Sequence, residues 1–377
     1  MTVAGLIFSN IHDSSVPELT SKRTMASVPF GGRYRLIDFA LSNMVNADIT
    51  KIGVVTHYNY QSLLDHIGTG KDWDLARRSG GIKILPPFIT AYENAASSRL
   101  YTSRLEALMG VTNFISRCNE EYIVMSDCDT VCNVDIADVI RTHESSCADI
   151  TVVVKNVDPS EYMLNPSNVK IISDANGRIT DVEEYVNCEG SSDLSMNIFV
   201  LKREYLQNII QESMARGYKS LYRDVIKANA SHNNYKIYRY EGPFALINSL
   251  ESYFRSSMKL LGTDVREELL SVKNRPIHTK VRNSAPTRYV DNPSVKNSII
   301  ADGCIIEGTV ENSILFRGVK VGKGSVIKNS VLLQDTFTGE NVFLNCVITD
   351  KNVMIKDGRI LSGHESMPFY IAKGMMI

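Results

Sequence analysis

Ser27 to Asn43 reads SVPFGGRYRLIDFALSN. A proline and a pair of glycines suit a tight loop where backbone must approach something closely. The stretch then enters RYRLIDFALSN, where Leu36, Phe39, Ala40 and Met44 recur at helical spacing and Asp38 lies on another face. A Gly-rich loop running into a helix offers free N–H groups and the helix dipole to an anion, and Arg33 and Arg35 add positive charge there. Two readings stand together at this point: a phosphate-binding loop, or an ordinary loop-to-helix turn with two solvated arginines.

Working outward, VAGLIFS (3–9) reads as a buried strand and the polar HDSSVPELTSKR behind it as a loop. Downstream, KIGVVTH (51–57) is a compact β-branched strand and QSLLDHI (61–67) a helix, an alternation that belongs to an α/β sheet. Residues 68–100 carry turn signals, the single tryptophan Trp73 and the proline pair of ILPPF (84–88), so they read as a long surface loop. A helix is expected over 102–115, then the strand EYIVMSD (121–127), whose carboxyl end presents Ser126, Asp127 and Asp129. Ligands of open α/β sheets bind outside such strand ends, which makes Asp127 the best-placed metal or ligand carboxylate, with a helix-capping role as its alternative. Further helical patterns lie at 134–146, YLQNIIQESMARG, SLYRDVIKANA and 246–261, with strand-like runs between them, and the first domain closes near residue 262.

The pattern then changes. From Pro293, Val319, Ser325, Val331 and Phe337 recur six apart, followed by Val342, Val347 and Val353 at five and six, with Gly303, Gly308, Gly318, Gly322, Gly324 and Gly339 between them. A period near six with small or β-branched inward residues marks a hexapeptide β-helix. A β-sandwich would instead show period-two strands every 8–12 residues.

Composition excludes several classes. The chain has 377 residues, 44% of them hydrophobic, 22% charged, and a formal net charge of -1, so nothing calls for nucleic acid or an anionic membrane. No apolar run nears the ~20 residues of a membrane span and the start lacks a signal-peptide pattern, so a cytoplasmic protein is expected. Seven cysteines (118, 128, 132, 147, 188, 304, 346), scattered and without a C-x-x-C pair, read as free thiols.

An α/β domain carrying VPFGGRYRLIDFALSN, the block DHIGTGKDWDLARRSGGIKILPP (65–87), SMNIFVL (195–201), PIHTK (276–280) and hexapeptide repeats resembles the glucose-1-phosphate adenylyltransferase (ADP-glucose pyrophosphorylase) family of sugar nucleotidyltransferases over nearly its whole length. The resemblance implies a Rossmann-like nucleotidyltransferase domain with a GT-A-like mixed sheet over 1–262, a linker over 263–292 and a left-handed parallel β-helix over 293–377. Active members transfer AMP from ATP to glucose-1-phosphate with magnesium, in-line at the α-phosphorus. That chemistry needs a triphosphate cradle, cations and metal-binding carboxylates.

Set against the family's motifs, this chain departs at one contact after another. The G-G-x-G-x-R-L loop corresponds to Asn10, Ile11, His12, Asp13, Ser14, Ser15 and Val16, so its glycines and arginine are gone. The family's lysine on the nucleotide phosphates corresponds to Met25, its Gly-Thr nucleotide contact to Ser103-Arg104, and its sugar-phosphate lysine to Glu184. Of two metal-binding aspartates only Asp127 survives; the second falls on Leu246. Each lost electrostatic contact of this kind is worth ~2–4 kcal/mol in a transition state, though such losses do not add simply. The departures are similar to those of the regulatory, D-type subunit of the bacterial enzyme. The resemblance therefore implies a catalytically impaired subunit, needing no cofactor, with Asp127 a weak metal ligand and Arg33, Arg35, Asp127 and Ser195 in a vestigial cleft or effector site. Its expected partner is a catalytic subunit in a hetero-oligomer, a tetramer by preference, with a homo-oligomer when alone and a sugar-phosphate as possible effector.

Three rivals remain open. The chain is itself an active adenylyltransferase, with Lys22 or Arg23 supplying the missing charge; or it is a stand-alone binding module in which Arg33, Arg35, Lys71, Arg77 and Arg78 hold a phosphorylated metabolite. An acyltransferase with a coil histidine is disfavoured, because 293–358 holds no histidine and His364 lies beyond. His57 and His66 stand near strand ends, with structural roles expected.

Overall fold

The computed structural model describes residues 2–86, 101–158, 162, 168–184 and 190–377. The first domain is built on a nine-stranded mixed sheet. Its strands are β1 (Val3–Phe8), β2 (Lys51–Val55), β3 (Gly81–Leu85), β4 (Tyr122–Asp127), β5 (Ile150–Val157), β6 (Val169–Ser173), β7 (Ile179–Glu184), β8 (Ser192–Lys202) and β9 (Tyr235–Arg239). They run in the order β7-β6-β8-β4-β1-β2-β3, with β5 on the other edge of β8 and β9 outside β5. β4, β1, β2 and β3 are mutually parallel, whereas β8 is antiparallel to β4, β5 and β6. Apolar clusters fill both faces, one under α1 (Leu36–Val45) and α2 (Gln61–Ile67), the other under α3 (Arg104–Gly110), α4 (Thr112–Ser116) and α6 (Arg203–Arg216). Between these last two in sequence lies α5 (Ile136–Ser145), and α7 (Leu250–Lys259) and α8 (Thr263–Leu270) close the domain.

Several boundaries differ from the sequence reading. Residues 81–85, read as surface loop, form β3, which is possible beside a proline because the strand lies at the sheet edge and ends before Pro86; Pro87 and Phe88 lie outside the described residues. The helix expected over 102–115 is two short ones joined at Gly110–Val111. The helix expected over 246–261 starts only at Leu250, because the Ser249 side chain accepts from Ser252 N–H and caps it there, while Ala245–Leu246 pairs antiparallel with Thr130–Val131. SLYRDVIKANA contains a π-helical turn, Leu221–Lys227. The stretch read as linker, 263–292, holds α8 and the first coil strand, Arg288–Tyr289. No helix among the described residues is long and apolar enough to cross a membrane, and the six described cysteines are free.

The C-terminal domain is a left-handed parallel β-helix with three five-stranded faces. Along the first face Ile305, Lys320, Phe337 and Met354 stack; along the third, Ile299, Ile314, Val331 and Ile348. Lys320, Phe337 and Met354 follow one another 17 residues apart, so a coil here is one residue short of three hexapeptides. The inward series is therefore Val319, Ser325, Ser330, Thr336, Val342, Val347 and Val353, all buried. A strict six-residue step slips off it, and Val331 and Phe337, read as inward, point outward: Phe337 is 42% exposed, and Val331 is buried against the first domain.

That burial fixes how the domains join. The outer side of the third face shares a core with Phe30, Phe39, Tyr253 and Leu260. Gly31 and Gly32 have positive φ (60° and 84°), and a Cβ on Gly32 would lie 3.2 Å from Ile299 Cγ2. The glycine pair thus lets the loop meet the β-helix. PIHTK runs along α1, where the His278 N–H donates to Ser42 Oγ (2.8 Å) and Asn46 Nδ2 to the Pro276 carbonyl (3.1 Å). Arg23, fully buried, donates to both oxygens of Asp350 (2.6 and 2.9 Å), and Tyr370 donates to the Glu18 carbonyl (2.6 Å).

A buried ion pair deprived of one member leaves an uncompensated charge at a cost of roughly 3–5 kcal/mol. Asp350→Leu is therefore expected to lower the urea midpoint strongly while Arg23→Met/Asp350→Leu recovers much of the loss; equal midpoints for the two variants would show that no such pair couples the domains.

Candidate functional site

The cleft lies at the carboxyl ends of β1, β2 and β4. The stretch after β1 folds into a tight turn, Asp13–Ser15, held by its own side chains. Asn10 Oδ1 accepts from Ser9 Oγ (2.6 Å), Thr56 Oγ1 (2.9 Å) and the His57 N–H (3.0 Å), while Asn10 Nδ2 donates to Asp13 Oδ2 (2.7 Å). The other oxygen of Asp13 accepts from Met25 N–H at 2.7 Å. Asn10, Asp13 and Met25 thus form one network, in which Met25 supplies backbone and its side chain is buried. Ile11 packs on the apolar cluster below, and Ser15 N–H bonds the His12 carbonyl.

At the end of β4, Asp127 is fully buried between two cations of the chain itself. Arg104 Nε donates to Asp127 Oδ1 (3.1 Å), and Arg104 Nη2 contacts the other oxygen of Asp127 and Asn197 Oδ1 (3.0 Å). His12 Nε2 lies 2.7 Å from Asp127 Oδ2 and 3.4 Å from Asp129 Oδ2. The guanidinium lies against two rings, 5.0 Å from the Phe199 centroid and 5.6 Å from that of Tyr222. Tyr222 Oη donates to Asn197 Oδ1 (2.9 Å) and bonds Ser195 Oγ, so Ser195 joins Asp127 through this network.

Charges settle accordingly. Burial pulls the His12 imidazole down, but the Asp129 and Asp127 carboxylates outweigh it and hold its pKa above the ordinary value. Burial raises Asp127, and Arg104 with His12 more than reverse that, leaving it low. Asp129 is pushed up by burial and by Asp127, and its Oδ1 has no hydrogen-bond partner among the described residues. Asp13 is raised to about 6 by burial, against the hydrogen bonds from Asn10 and Met25.

Sequence reasoning placed Asp129 with Asp127 at the strand end but missed that His12 and Arg104 join them. Ser103-x-x-Glu106 is a capping box, with the Glu106 N–H donating to Ser103 Oγ (3.2 Å). That signature fixes where α3 starts, with Arg104 as its first residue. His12, Asp127 and Asp129 each bring a donor atom within 4.8 Å of the others. Magnesium takes oxygen donors in a near-octahedral shell. A set with one nitrogen, and with Arg104 already on Asp127, matches it poorly. Leu246, at the family's second aspartate position, is buried with Val157 and Leu194 and offers no donor.

The remaining expected residues are elsewhere. Glu184 is exposed at the end of β7. Arg33 and Arg35 line a small pocket of about 30 Å³ between the domains, with Arg282, Arg317 and Lys351. Arg35 is buried, donates to Ser62 Oγ (2.9 Å), and is lowered to about 10 by burial. Lys351 is lowered to about 7, by burial first and then by Arg35 and Arg23. Lys71, Arg77 and Arg78 do not line this pocket. His66 sits at its edge, bonded to Asp38 (2.5 Å), and Asp38 also accepts from Arg35 N–H (3.0 Å); His57 stacks on Tyr101 at 4.7 Å.

A nucleotidyltransferase-type sheet followed by a hexapeptide β-helix is the class this architecture defines, and comparison with known proteins agrees. The nucleotidyl transferase family matches residues 16–244, and a GlmU-like C-terminal hexapeptide family matches 285–366. Over 374 residues the chain is 33% identical to the glycogen biosynthesis protein GlgD of Bacillus subtilis, covering 99% of this chain and 96% of that one. It is 35% identical over 370 residues to the same-named protein of Geobacillus stearothermophilus, covering 98% and 96%. With the glucose-1-phosphate adenylyltransferase of Fervidobacterium nodosum it shares 31% over 365 residues, 96% of this chain and 86% of the relative. The chain belongs to the family of the GlgD proteins and the glucose-1-phosphate adenylyltransferases.

The cleft generates two predictions. Arg104→Met leaves Asp127 with His12 alone and is expected to cost up to about 3–5 kcal/mol in urea unfolding, with part of it restored in Arg104→Met/Asp127→Leu; additive losses would show that the two groups do not act as a pair. Because folded Asp13 keeps its proton up to about pH 6 and an unfolded aspartate releases it near 4, the folded state binds the extra proton in that window. Stability then falls as pH rises from about 4 to 6. The urea midpoint of Asp13→Asn, measured against wild type, should gain across that window and level above it; a difference independent of pH would contradict this.

Proposed function

We propose that the protein is a regulatory, catalytically impaired subunit of glucose-1-phosphate adenylyltransferase in glycogen biosynthesis, acting in the cytoplasm by association with a catalytic subunit of the same fold. The single observation that carries this reading is Arg104 against Asp127. The one carboxylate retained from the family's metal pair already has its counter-charge, and the turn at Asn10–Ser15 puts side chains where backbone would have to meet a triphosphate. Nucleotide and magnesium affinity should both be weak, and no cofactor is required for the proposed role.

Association is supported by the end of the β-helix. Ile360 (74% exposed), Met367 (80%), Phe369 and Met376 are exposed on or beside the last coil, where capping repeats are usually polar. The pocket between the domains supports an anionic effector, since Arg33, Arg282, Arg317 and Lys351 converge there and Lys351 gains its proton when a negative charge arrives. An effector at that pocket would bear on the β-helix through Lys351, whose neighbour Asp350 holds Arg23.

Pyrophosphate release from ATP and glucose-1-phosphate, measured with the purified chain alone, is expected to stay at background. Titrated into the catalytic subunit of the same organism, the chain should change rate or effector sensitivity saturably, with Ile360→Glu requiring roughly tenfold more protein, the shift expected for loss of one central apolar contact. Turnover alone at the level of an ordinary adenylyltransferase would instead favour the active-enzyme reading, and no effect in either arm would remove both.

A further inference from the structure

At the far edge of the sheet, β3 and the α3–α4 pair enclose a groove that neither the cleft nor the domain junction uses. It is lined by Lys83, Ile84 and Leu85 on the strand side and by Gly110, Val111 and Phe114 on the helix side, with a cavity volume of about 310 Å³. Ligand cavities usually hold ~300–1,000 Å³. Its floor is apolar, for Leu85, Val111 and Phe114 belong to the cluster beneath α3 and α4. One wall is bare backbone: a Cβ on Gly110 would meet nothing within 4 Å.

The rim carries three cations, Lys51, Lys83 and Arg117. Lys51 is matched by Glu120 at 2.9 Å, and Lys51 also donates to the Arg117 carbonyl at 3.3 Å. Lys83 and Arg117 have no carboxylate within ion-pair distance among the described residues, and both are exposed at the groove mouth. An apolar floor with two unmatched cations at its mouth selects a ligand with the reverse pattern.

We propose that this groove is a binding site for a small amphipathic anion: an alkyl or aryl body seated on Val111, Phe114 and Leu85, and one carboxylate, sulfonate or phosphate headgroup held by Arg117 and Lys83. Burial of the apolar body supplies the affinity and the headgroup fixes its direction. A bare inorganic anion lacks the first contribution and binds poorly; a neutral hydrocarbon lacks the second.

The test uses the full chain and 1-anilinonaphthalene-8-sulfonate, whose fluorescence rises in an apolar site, with laurate and inorganic phosphate as competitors. Arg117→Glu reverses the headgroup charge at an exposed position, and Gly110→Phe fills the groove from a wall with room for it, so both are expected to fold. Ile360→Glu serves as the control for dye on the exposed last coil. The expected result is a saturable component displaced by laurate but not by equimolar phosphate, weakened at least tenfold by Arg117→Glu and by Gly110→Phe, and unchanged in Ile360→Glu. Titrations identical to wild type in Arg117→Glu and Gly110→Phe would overturn the proposal, as would displacement by phosphate as effective as by laurate.

Discussion

The outer side of the third β-helix face has no water to meet, and the rest of the molecule is arranged around that fact. Ile299, Ile314, Val331 and Ile348 present a flat β-branched surface, and the first domain answers it with Phe30, Phe39, Tyr253 and Leu260. Glycine at position 32 suits this approach, because its φ of 84° disfavours a side chain and a Cβ would press on Ile299 at 3.2 Å. The buried Arg23–Asp350 pair lies beside this seam and depends on it, since neither charge tolerates burial without the other. Two domains that look separable in sequence therefore share one hydrophobic core.

From that seam a short length of chain leads to the cleft. Arg23 is ten residues from Asp13, and Asp13 is tied to Met25 N–H and to Asn10, so the turn facing the cleft is anchored to the β-helix within one loop. The pocket holding Arg35 and Lys351 lies on the same seam. Lys351, on the wall of that pocket, is the neighbour of Asp350, which holds Arg23.

Within the site at the end of β4, the charges of the chain balance one another. A buried carboxylate needs a counter-charge, which in an open metal site comes from solution; here Arg104 provides it, with His12 beside it, and Phe199 and Tyr222 lie against the guanidinium. A side-chain cation cannot dissociate, so the network gains order and loses vacancy. The same logic applies to Asn10, whose amide oxygen takes three donors and fixes a turn that glycines would have left adaptable.

By itself the sequence determined the two-domain architecture, because hydrophobic periodicity reports which face of each element is buried. It also marked Asp127 at a strand end, and Asn10, Asp13, Met25 and Leu246 as departures from the family's contacts. What it left undecided depended on partners distant in the chain. Nothing local says that Gly32 faces Ile299, or that Arg104 crosses to Asp127. A six-residue count could not reveal a 17-residue coil, since one residue fewer at a corner leaves every inward residue the same type while turning Val331 and Phe337 outward. β3 was hidden because an edge strand can end at a proline. Periodicity is a local property of the chain and survives in the sequence; charge pairing and docking are properties of surfaces that exist only once the chain has folded.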